Sequence, residues 1–142
     1  MNDKCQFCDP LNKWPKDYVI GSLESSIVVL SKDQFFYGWC LVIAKDHVVD
    51  LFDLSNQARS QLEEDVNKVS KAIQELFLPD IMNYAVFGNV IPHLHWNVMP
   101  RHKNDGLWGA PPWPHEPKEL HGNEAKILSS KIREAVGGRQ WG

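Results

Sequence analysis

Apolar residues recur along the chain with two different periods, and these predict two kinds of element. Short, strongly apolar runs at 26–31 and 37–44 favour buried strands. Between residues 55–77 the apolar positions instead repeat every three or four residues, which is typical of an amphipathic helix. Ser55 can cap this helix at its start, and Pro79 ends it. We therefore expect a long helix that covers a sheet.

The second half of the chain predicts two further strands, a long loop and a final helix. The strands span 82–87 and 90–99 and are joined by a tight link. Residues 101–122 are so rich in Pro, Gly and Trp that we expect a loop, whereas 123–136 have helical spacing. Short connections between strands favour antiparallel pairing. The predicted class is α+β, an antiparallel β-sheet with a long helix packed on it and an additional C-terminal helix.

Length and composition narrow the functional classes. A chain of 142 residues, 43% hydrophobic and 23% charged, has the size and composition of one globular domain, which we take to span 1–142. The net charge of −3 gives no global basic field, so we expect no nucleic-acid polymer as a partner. No apolar run approaches the ~20 residues of a membrane helix, and the amino terminus does not resemble a secretion signal. These features predict a cytoplasmic protein with no membrane partner.

We expect different roles for the three cysteines. Cys40 lies within an apolar run and is expected to be a small buried hydrophobe. Cys5 and Cys8 form a Cys-x-x-Cys knuckle in the loop-like segment 1–20. Two thiolates at this spacing can hold one Zn²⁺ ion but need two more ligands. The same pair could instead be redox-active, or incidental.

Polar residues alternate along the predicted strand 90–99. His93, His95 and Asn97 are two residues apart, so in a strand they would share one face. Such a face is either a functional surface or an ordinary solvated strand. Arg101 follows the strand, and its fork of N–H donors is well suited to phosphate.

The segment 83–101, NYAVFGNVIPHLHWNVMPR, resembles the signature strand pair of the histidine triad (HIT) family. That signature is His-x-His-x-His followed by two apolar residues and often Pro-Arg. The upstream segment 41–51, LVIAKDHVVDL, is similar to the family's other landmark, an apolar strand followed by Lys-x-His and a helix. The resemblance covers about residues 5–101, with the final loop and helix outside it. It implies a homodimer, since family members commonly pair through the strand and helix near 41–77.

The resemblance also implies nucleophilic catalysis on phosphorus. In this family the middle histidine attacks the α-phosphate of a nucleotide and forms a nucleotidyl–histidine, and His95 matches that position. The implied substrates are nucleoside phosphoramidates, dinucleoside polyphosphates or related nucleotides. A neutral imidazole is a good nucleophile near pH 7. Asn83, Asn89 and Asn97 are candidate donors to the phosphoryl oxygens, together with backbone N–H groups near Gly88.

Asn97 stands where the family pattern has its third histidine. A related branch, which contains galactose-1-phosphate uridylyltransferase, has glutamine there and transfers the nucleotidyl group. An amide can hydrogen-bond a phosphoryl oxygen but cannot act as an acid or base near neutral pH. Three activities therefore stay open: transfer, slow hydrolysis, or nucleotide binding with little or no turnover.

The resemblance supplies the two missing ligands of the Cys-x-x-Cys knuckle. Zinc-binding members use the cysteine pair, the histidine of the Lys-x-His landmark and the first histidine of the triad, which here are Cys5, Cys8, His47 and His93. With all four positions filled by protein, the ion would be structural rather than catalytic. It would hold the N-terminal segment against the strand that carries His95.

The loop at 101–122 leaves two interpretations open. Trp108 and Trp113 could stack on a nucleobase, or they could pack onto the body of the protein or a second subunit. His102, His115 and His121 are expected to be ordinary surface residues, and Asp33 and Gln34 could reach a ribose hydroxyl.

Overall fold

The computed structural model describes residues 4–137, and this part of the chain folds into five strands and three α-helices. The strands are Val19–Ser22 (β1), Ser26–Leu30 (β2), Cys40–Ala44 (β3), Ile81–Ala85 (β4) and His95–Arg101 (β5). The α-helices are Pro10–Lys13 (α1), Asn56–Phe77 (α2) and Glu124–Gly137 (α3). None of the described helices is long and apolar enough to cross a membrane.

The strands form one antiparallel sheet in the order β1-β2-β3-β5-β4. Helices α2 and α3 pack against one face and against each other, and enclose the larger apolar core. A second apolar cluster lies on the opposite face, where the N-terminal segment and the loop after β5 cover the sheet. The predicted α+β fold is confirmed.

Helix α2 forms where the apolar period predicted it. The Ser55 hydroxyl accepts a hydrogen bond from the backbone N–H of Ala58 and satisfies one of the free donors of the first turn. The buried stripe includes Leu62, Val69 and Ile73, which pack on the sheet. The helix ends at a left-handed residue immediately before Pro79.

The N-terminal half of β5 and all of β1 differ from the sequence prediction. β5 begins at His95 rather than at residue 90, and 86–94 form a loop instead of a tight link. Gly88 has a φ of 72° there, and Pro92 has no N–H to give to a sheet ladder. The predicted loop at 1–20 contains helix α1 and the start of β1, a strand of four residues that is too short to show a period.

The sheet order leaves β1 and β4 as the edges among the described strands. β3, within the segment predicted to dimerise, lies between β2 and β5, and all five of its residues are buried. Its backbone hydrogen bonds are already made on both sides. The exposed edge next to the site is instead β4, which pairs only with β5.

Candidate functional site

Four side chains from three distant segments converge at the N-terminal side of β5. They are Cys5 and Cys8 from the knuckle, His47 from the loop after β3, and His93 from the loop before β5. One potential ligand atom from each lies within 4.8 Å of the others. The structure thus brings together all four residues that the sequence assigned to zinc.

The chemistry of these donors and the spacing of His93 from both cysteines fit a tetrahedral zinc ion, while His47 Nδ1 lies closer to Cys8 Sγ, at 2.9 Å. The Nδ1 atom of His93 lies 3.5 Å from Cys5 Sγ and 3.6 Å from Cys8 Sγ. Zn–S and Zn–N bonds of ordinary length in a tetrahedral site separate sulfur and nitrogen ligands by about 3.6 Å. On the other ring nitrogen, His93 Nε2–H donates to the Ala44 carbonyl at 2.6 Å. That bond leaves Nδ1 unprotonated and directed at the thiols, as a ligand must be.

The Cys-x-x-Cys knuckle also contacts His95, the next histidine along the chain after His93. Phe7, between the two cysteines, is only 3% exposed and meets the His95 ring edge-on with a centroid distance of 4.8 Å. Its other side packs against Trp14 at 5.5 Å. The segment that closes the metal cluster therefore forms one wall around His95.

A backbone carbonyl fixes the protonation pattern of His95. Its Nδ1 lies 2.7 Å from the carbonyl oxygen of His93, which can only accept, so Nδ1 carries the proton and Nε2 has a free lone pair. Burial lowers the pKa of His95, which the hydrogen bond to His93 partly opposes. The imidazole is therefore neutral near pH 7, the form that a nucleophile requires.

His95 lies on the wall of a cleft of about 430 Å³. The lining residues are Phe87, Gly88, Asn89, Val90, Ile91, His95, Asn97 and Trp113. The cleft is mostly apolar, and within residues 4–137 no lysine or arginine lines it. A phosphate bound beside His95 would depend on neutral donors, such as the side chains of Asn89 and Asn97.

Asn97 shares the sheet face of His95, as the two-residue spacing predicted. Its Oδ1 accepts a hydrogen bond from Trp39 Nε1–H at 3.2 Å, and its Nδ2 donates to the Ala85 carbonyl at 3.2 Å. The side chain is largely buried and still lines the cleft. His93, by contrast, precedes the strand, and the loop turns it into the metal cluster.

Arg101 and Asn83, predicted to bind phosphate, lie away from the His95 cleft and are hydrogen-bonded to each other. Arg101 is 2% exposed, and its guanidinium donates to the Asp105 carboxylate at 2.6 Å and to Asn83 Oδ1 at 2.9 Å. Further N–H groups reach the carbonyls of Leu107 and Ala110. Neither Arg101 nor Asn83 lines the His95 cleft. The N–H groups of Arg101 instead hold the loop after β5.

A largely buried hydrogen bond between His115 and Asp33 fastens the far part of the same loop. His115 Nε2 lies 2.6 Å from Asp33, and the His115 ring stacks on Phe35 at 4.5 Å. The predictions of a surface histidine and of a ribose-binding Asp33 are therefore wrong. The pair brings Trp113 against Trp39 and Phe87, at 5.5 and 5.3 Å, so that Trp113 lines the cleft.

Trp108 is partly exposed and lines a separate cavity beside Arg101.

Comparison with known proteins agrees with this geometry. The HIT domain model matches residues 13–104, which is more than half of the chain. The chain belongs to the HIT domain family. Proteins of this family bind nucleotides and are commonly nucleotide hydrolases.

Relatives of known sequence and structure span most of the chain. Adenosine 5′-monophosphoramidase of Schizosaccharomyces pombe is 32% identical over 105 residues, 68% of this chain and 74% of the relative. A histidine triad protein from Bradyrhizobium japonicum has 29% identity, a TM-score of 0.77 and coverage of 85% of this chain and 92% of its own. A zinc-bound histidine triad family protein from Mycobacterium smegmatis shares the fold at 24% identity, with a TM-score of 0.71 over 96% of this chain and 95% of its own.

Sequence reasoning missed two side chains that hold the site together. Phe7 contacts His95, and its only signal is its place inside the Cys-x-x-Cys knuckle. Trp39 holds Asn97, and that relation needs the register of β3 and β5, in which Leu41 pairs with Asn97.

Proposed function

We propose that this HIT domain protein is a nucleotide hydrolase or nucleotidyl transferase that acts at the α-phosphate through His95. The observation that carries the proposal is the bond from His95 Nδ1–H to the His93 carbonyl, which leaves Nε2 unprotonated on a side chain that lines the cleft. Substrates would be nucleoside phosphoramidates, dinucleoside polyphosphates or related nucleotides. The similarity to an adenosine 5′-monophosphoramidase supports a nucleotide substrate.

The proposed reaction has two displacements at phosphorus. In the first, the Nε2 lone pair forms a bond to the α-phosphorus, and the bond to the leaving group breaks with its electron pair on that group. An oxygen leaving group departs as an anion, whereas an amine takes up a proton from solvent as it leaves. In the second, water or another acceptor attacks phosphorus, loses its proton to solvent, and the N–P electron pair returns to Nε2. The amides of Asn89 and Asn97 would bind the phosphoryl oxygens. Asn97 takes the place of the third histidine of the triad.

Trapping the covalent intermediate tests this function. Purified protein would be mixed with adenosine 5′-phosphoramidate or with diadenosine polyphosphates, quenched without acid, and measured by intact mass. We expect an added mass of one adenylyl group, labile in acid, that is absent from His95→Ala. Absence of both the adduct and released nucleoside monophosphate for every substrate would refute an enzymatic role.

The Cys5, Cys8, His47 and His93 cluster would hold zinc in a structural role. Its four ligands would fill the coordination shell, so the ion would supply rigidity to the knuckle rather than a bound water for chemistry. The three cysteines, all within the described residues, have free thiols. Zinc binding requires the thiols of Cys5 and Cys8 to stay reduced. That requirement supports our expectation of a cytoplasmic location.

A homodimer would form through the edge strand β4. The sequence of this strand, Ile-Met-Asn-Tyr-Ala, contains no charge or proline to block pairing with another strand. Ile81 and Tyr84 on β4 are each 53% exposed, and Leu78 before it is 75% exposed. Antiparallel pairing of β4 with its own copy about a two-fold axis would cover these apolar groups.

A nucleotide-binding protein with little turnover is the second candidate. It is favoured by Asn97, because an amide cannot move a proton as a histidine can. Nucleotide binding measured by calorimetry, with neither adduct nor product, would identify this function.

A further inference from the structure

Two neighbours fix the orientation of the Asn97 amide. An indole N–H can only donate, so the atom 3.2 Å from Trp39 Nε1 is the amide oxygen. The Ala85 carbonyl can only accept, so the atom 3.2 Å from it is the amide nitrogen. Both contacts require the same orientation, and Trp39 is itself buried.

This orientation makes Asn97 a donor toward the cleft. The amide nitrogen has two hydrogens, and Ala85 takes one of them. The second is available to a phosphoryl oxygen beside His95, while the amide oxygen is taken by Trp39. Asn97 can therefore stabilise negative charge on phosphorus, but it has no proton to give to a departing group.

Nothing else on the described cleft wall can give that proton. His95 is the one titratable side chain among the lining residues, and its Nδ1–H is bound to the His93 carbonyl. The nearby His115 does not line the cleft, and its nitrogens lie against the Pro112 carbonyl and Asp33. The site has a nucleophile and neutral donors, without a general acid.

We propose that the site selects its substrates by leaving group because it has no general acid, and that Trp39 is the positioning residue that keeps the Asn97 amide turned to donate to the phosphoryl oxygens. The inference rests on the proposed function. His95 Nε2 forms the bond to the α-phosphorus, and the P–O bond breaks with its electron pair on the leaving oxygen, which departs as an anion. Phosphate, sugar phosphate and aryl oxygens can leave in this way. An amine must gain a proton as the P–N bond breaks, so phosphoramidates react slowly.

Rates of adduct formation with a matched set of adenylyl compounds test the proposal. The set is diadenosine tetraphosphate, adenosine 5′-aryl phosphates with phenols of graded pKa, and adenosine 5′-phosphoramidate. Since a general acid contributes about 10²–10⁴-fold, we expect the phosphoramidate to be slower than the anhydride by about that factor. Rates should also fall steeply as the phenol becomes more basic. Equal rates for phosphoramidate and anhydride would overturn the inference and leave the proposed function intact, whereas no adduct from any compound would overturn both.

Substitutions at position 97 separate the loss of a proton donor from the loss of an amide. Asn97→His restores a side chain that can give a proton, so the phosphoramidate should gain about 10-fold or more relative to the anhydride. Asn97→Gln keeps an amide and should keep the steep dependence on the leaving group. The same dependence in Asn97→His as in the unaltered protein would contradict the proposal.

Trp39→Phe tests the positioning role. It keeps an aromatic ring but removes the N–H, so the amide is free to turn and adduct formation should slow about 10-fold, with KM changed little. Ser70→Ala is the control, because Ser70 is also buried and its hydroxyl donates to a backbone carbonyl, that of Val66, at 2.8 Å, within α2 and away from the cleft. It should lose similar stability and retain the adduct rate. Equal adduct rates in Trp39→Phe and Ser70→Ala would refute the role of Trp39.

Discussion

The imidazole of His95 is held by contacts that come from the metal cluster on its N-terminal side. Its Nδ1–H is bound to the backbone of His93, a cluster residue, and its ring is packed by Phe7 from the knuckle. Both contacts restrict the angle at which Nε2 meets a phosphorus atom. Small losses of alignment are costly in such displacements, because positioning supplies much of the rate.

Phe7→Leu should therefore slow nucleotidyl transfer to His95 without loss of the metal. The aliphatic side chain fills less of the space beside the imidazole, and we expect adduct formation to fall by about 3–10-fold at constant zinc content. Quenched-flow mass spectrometry and metal analysis measure the two quantities. Phe77→Leu serves as control, since Phe77 lies at the end of α2 and packs on Tyr37 rather than on His95. An adduct rate in Phe7→Leu equal to that control would exclude a positioning role for Phe7.

The loop after β5 is an element fixed by buried polar contacts rather than by regular structure. One end is held by Arg101 and Asp105, and the far end by Asp33 and His115. Burial raises the pKa of Asp105, but hydrogen bonds from Arg101 and from the backbone outweigh this and lower it overall. The carboxylate is therefore stabilised in its charged form, which keeps the loop and Trp113 in place over the cleft.

Asp105→Asn should destabilise the protein by about 3 kcal/mol at pH 7, because it leaves the buried guanidinium of Arg101 without its counter-charge. Since the folded pKa of Asp105 lies below its ordinary value of 3.8, its contribution is complete above that value and is lost as the pH falls through the folded pKa. Urea unfolding at pH 7 and pH 3 measures the difference. The exposed Asp17→Asn should change stability by less than about 0.5 kcal/mol. A constant effect of Asp105→Asn across this pH range would contradict the ion-pair explanation.

The turn between β2 and β3 depends on a glycine for two reasons. Gly38 has a φ of +101°, and a Cβ atom there would lie 2.8 Å from the ring of Phe77 at the end of α2. Gly106 has a similar φ of +85° but open space around it, so Gly106→Ala isolates the backbone cost of about 1–2 kcal/mol. Gly38→Ala should cost about 1–3 kcal/mol more through the clash. Denaturant unfolding measures the loss of stability in both variants. Equal losses would show that the Phe77 ring moves aside at no cost in free energy.

At the level of the whole molecule, the cluster of Cys5, Cys8, His47 and His93 joins segments that are far apart in the chain. Cys5 and His93 are separated by 88 residues, and a zinc ion bound there would tie the N-terminal segment to the strand that carries His95. Binding energy of this kind is folding energy, since the unfolded chain has no preformed site. Metal content and global stability should therefore change together.

Removal of zinc by a chelator should lower the melting temperature by about 10 °C or more. Cys8→Ser should release no zinc in a colorimetric assay and should melt like the chelated protein. Cys40→Ala is the matched control, because Cys40 is buried in β3 outside the cluster and should leave zinc at about one ion per chain. An identical melting temperature with and without chelator would refute a structural metal.

The edge strand β4 should determine the oligomeric state. Tyr84→Lys places a charge on the exposed edge and should convert a dimer, about twice the chain mass of 16.3 kDa, to a monomer in light scattering. Phe52→Lys adds the same charge at another highly exposed apolar residue, before α2, and should leave the dimer intact. Equal masses for both variants would place the interface elsewhere.

The local sequence pattern was sufficient to predict the features whose defining residues lie close together in the chain. The apolar period and Ser55 predicted α2, because a helix buries residues three and four apart. The two-residue spacing placed His95 and Asn97 on one face, because strand side chains alternate. The zinc ligands needed the family resemblance as well, since spacing pointed only to the cysteine pair.

The tertiary structure decided which hydrogen bonds each polar side chain makes within the protein and which remain for a ligand. Arg101 looks like a phosphate ligand in sequence, yet its donors are consumed by Asp105, Asn83 and two carbonyls that only the folded loop brings near. The contact of Trp39 with Asn97 depends on the order of the strands, because two residues 58 apart become neighbours only across β3 and β5. The sequence by itself determined the fold class and placed His95 and Asn97 on one face of a strand. Which hydrogen bonds remain for a substrate was decided by the tertiary structure, because partners distant in sequence take the others.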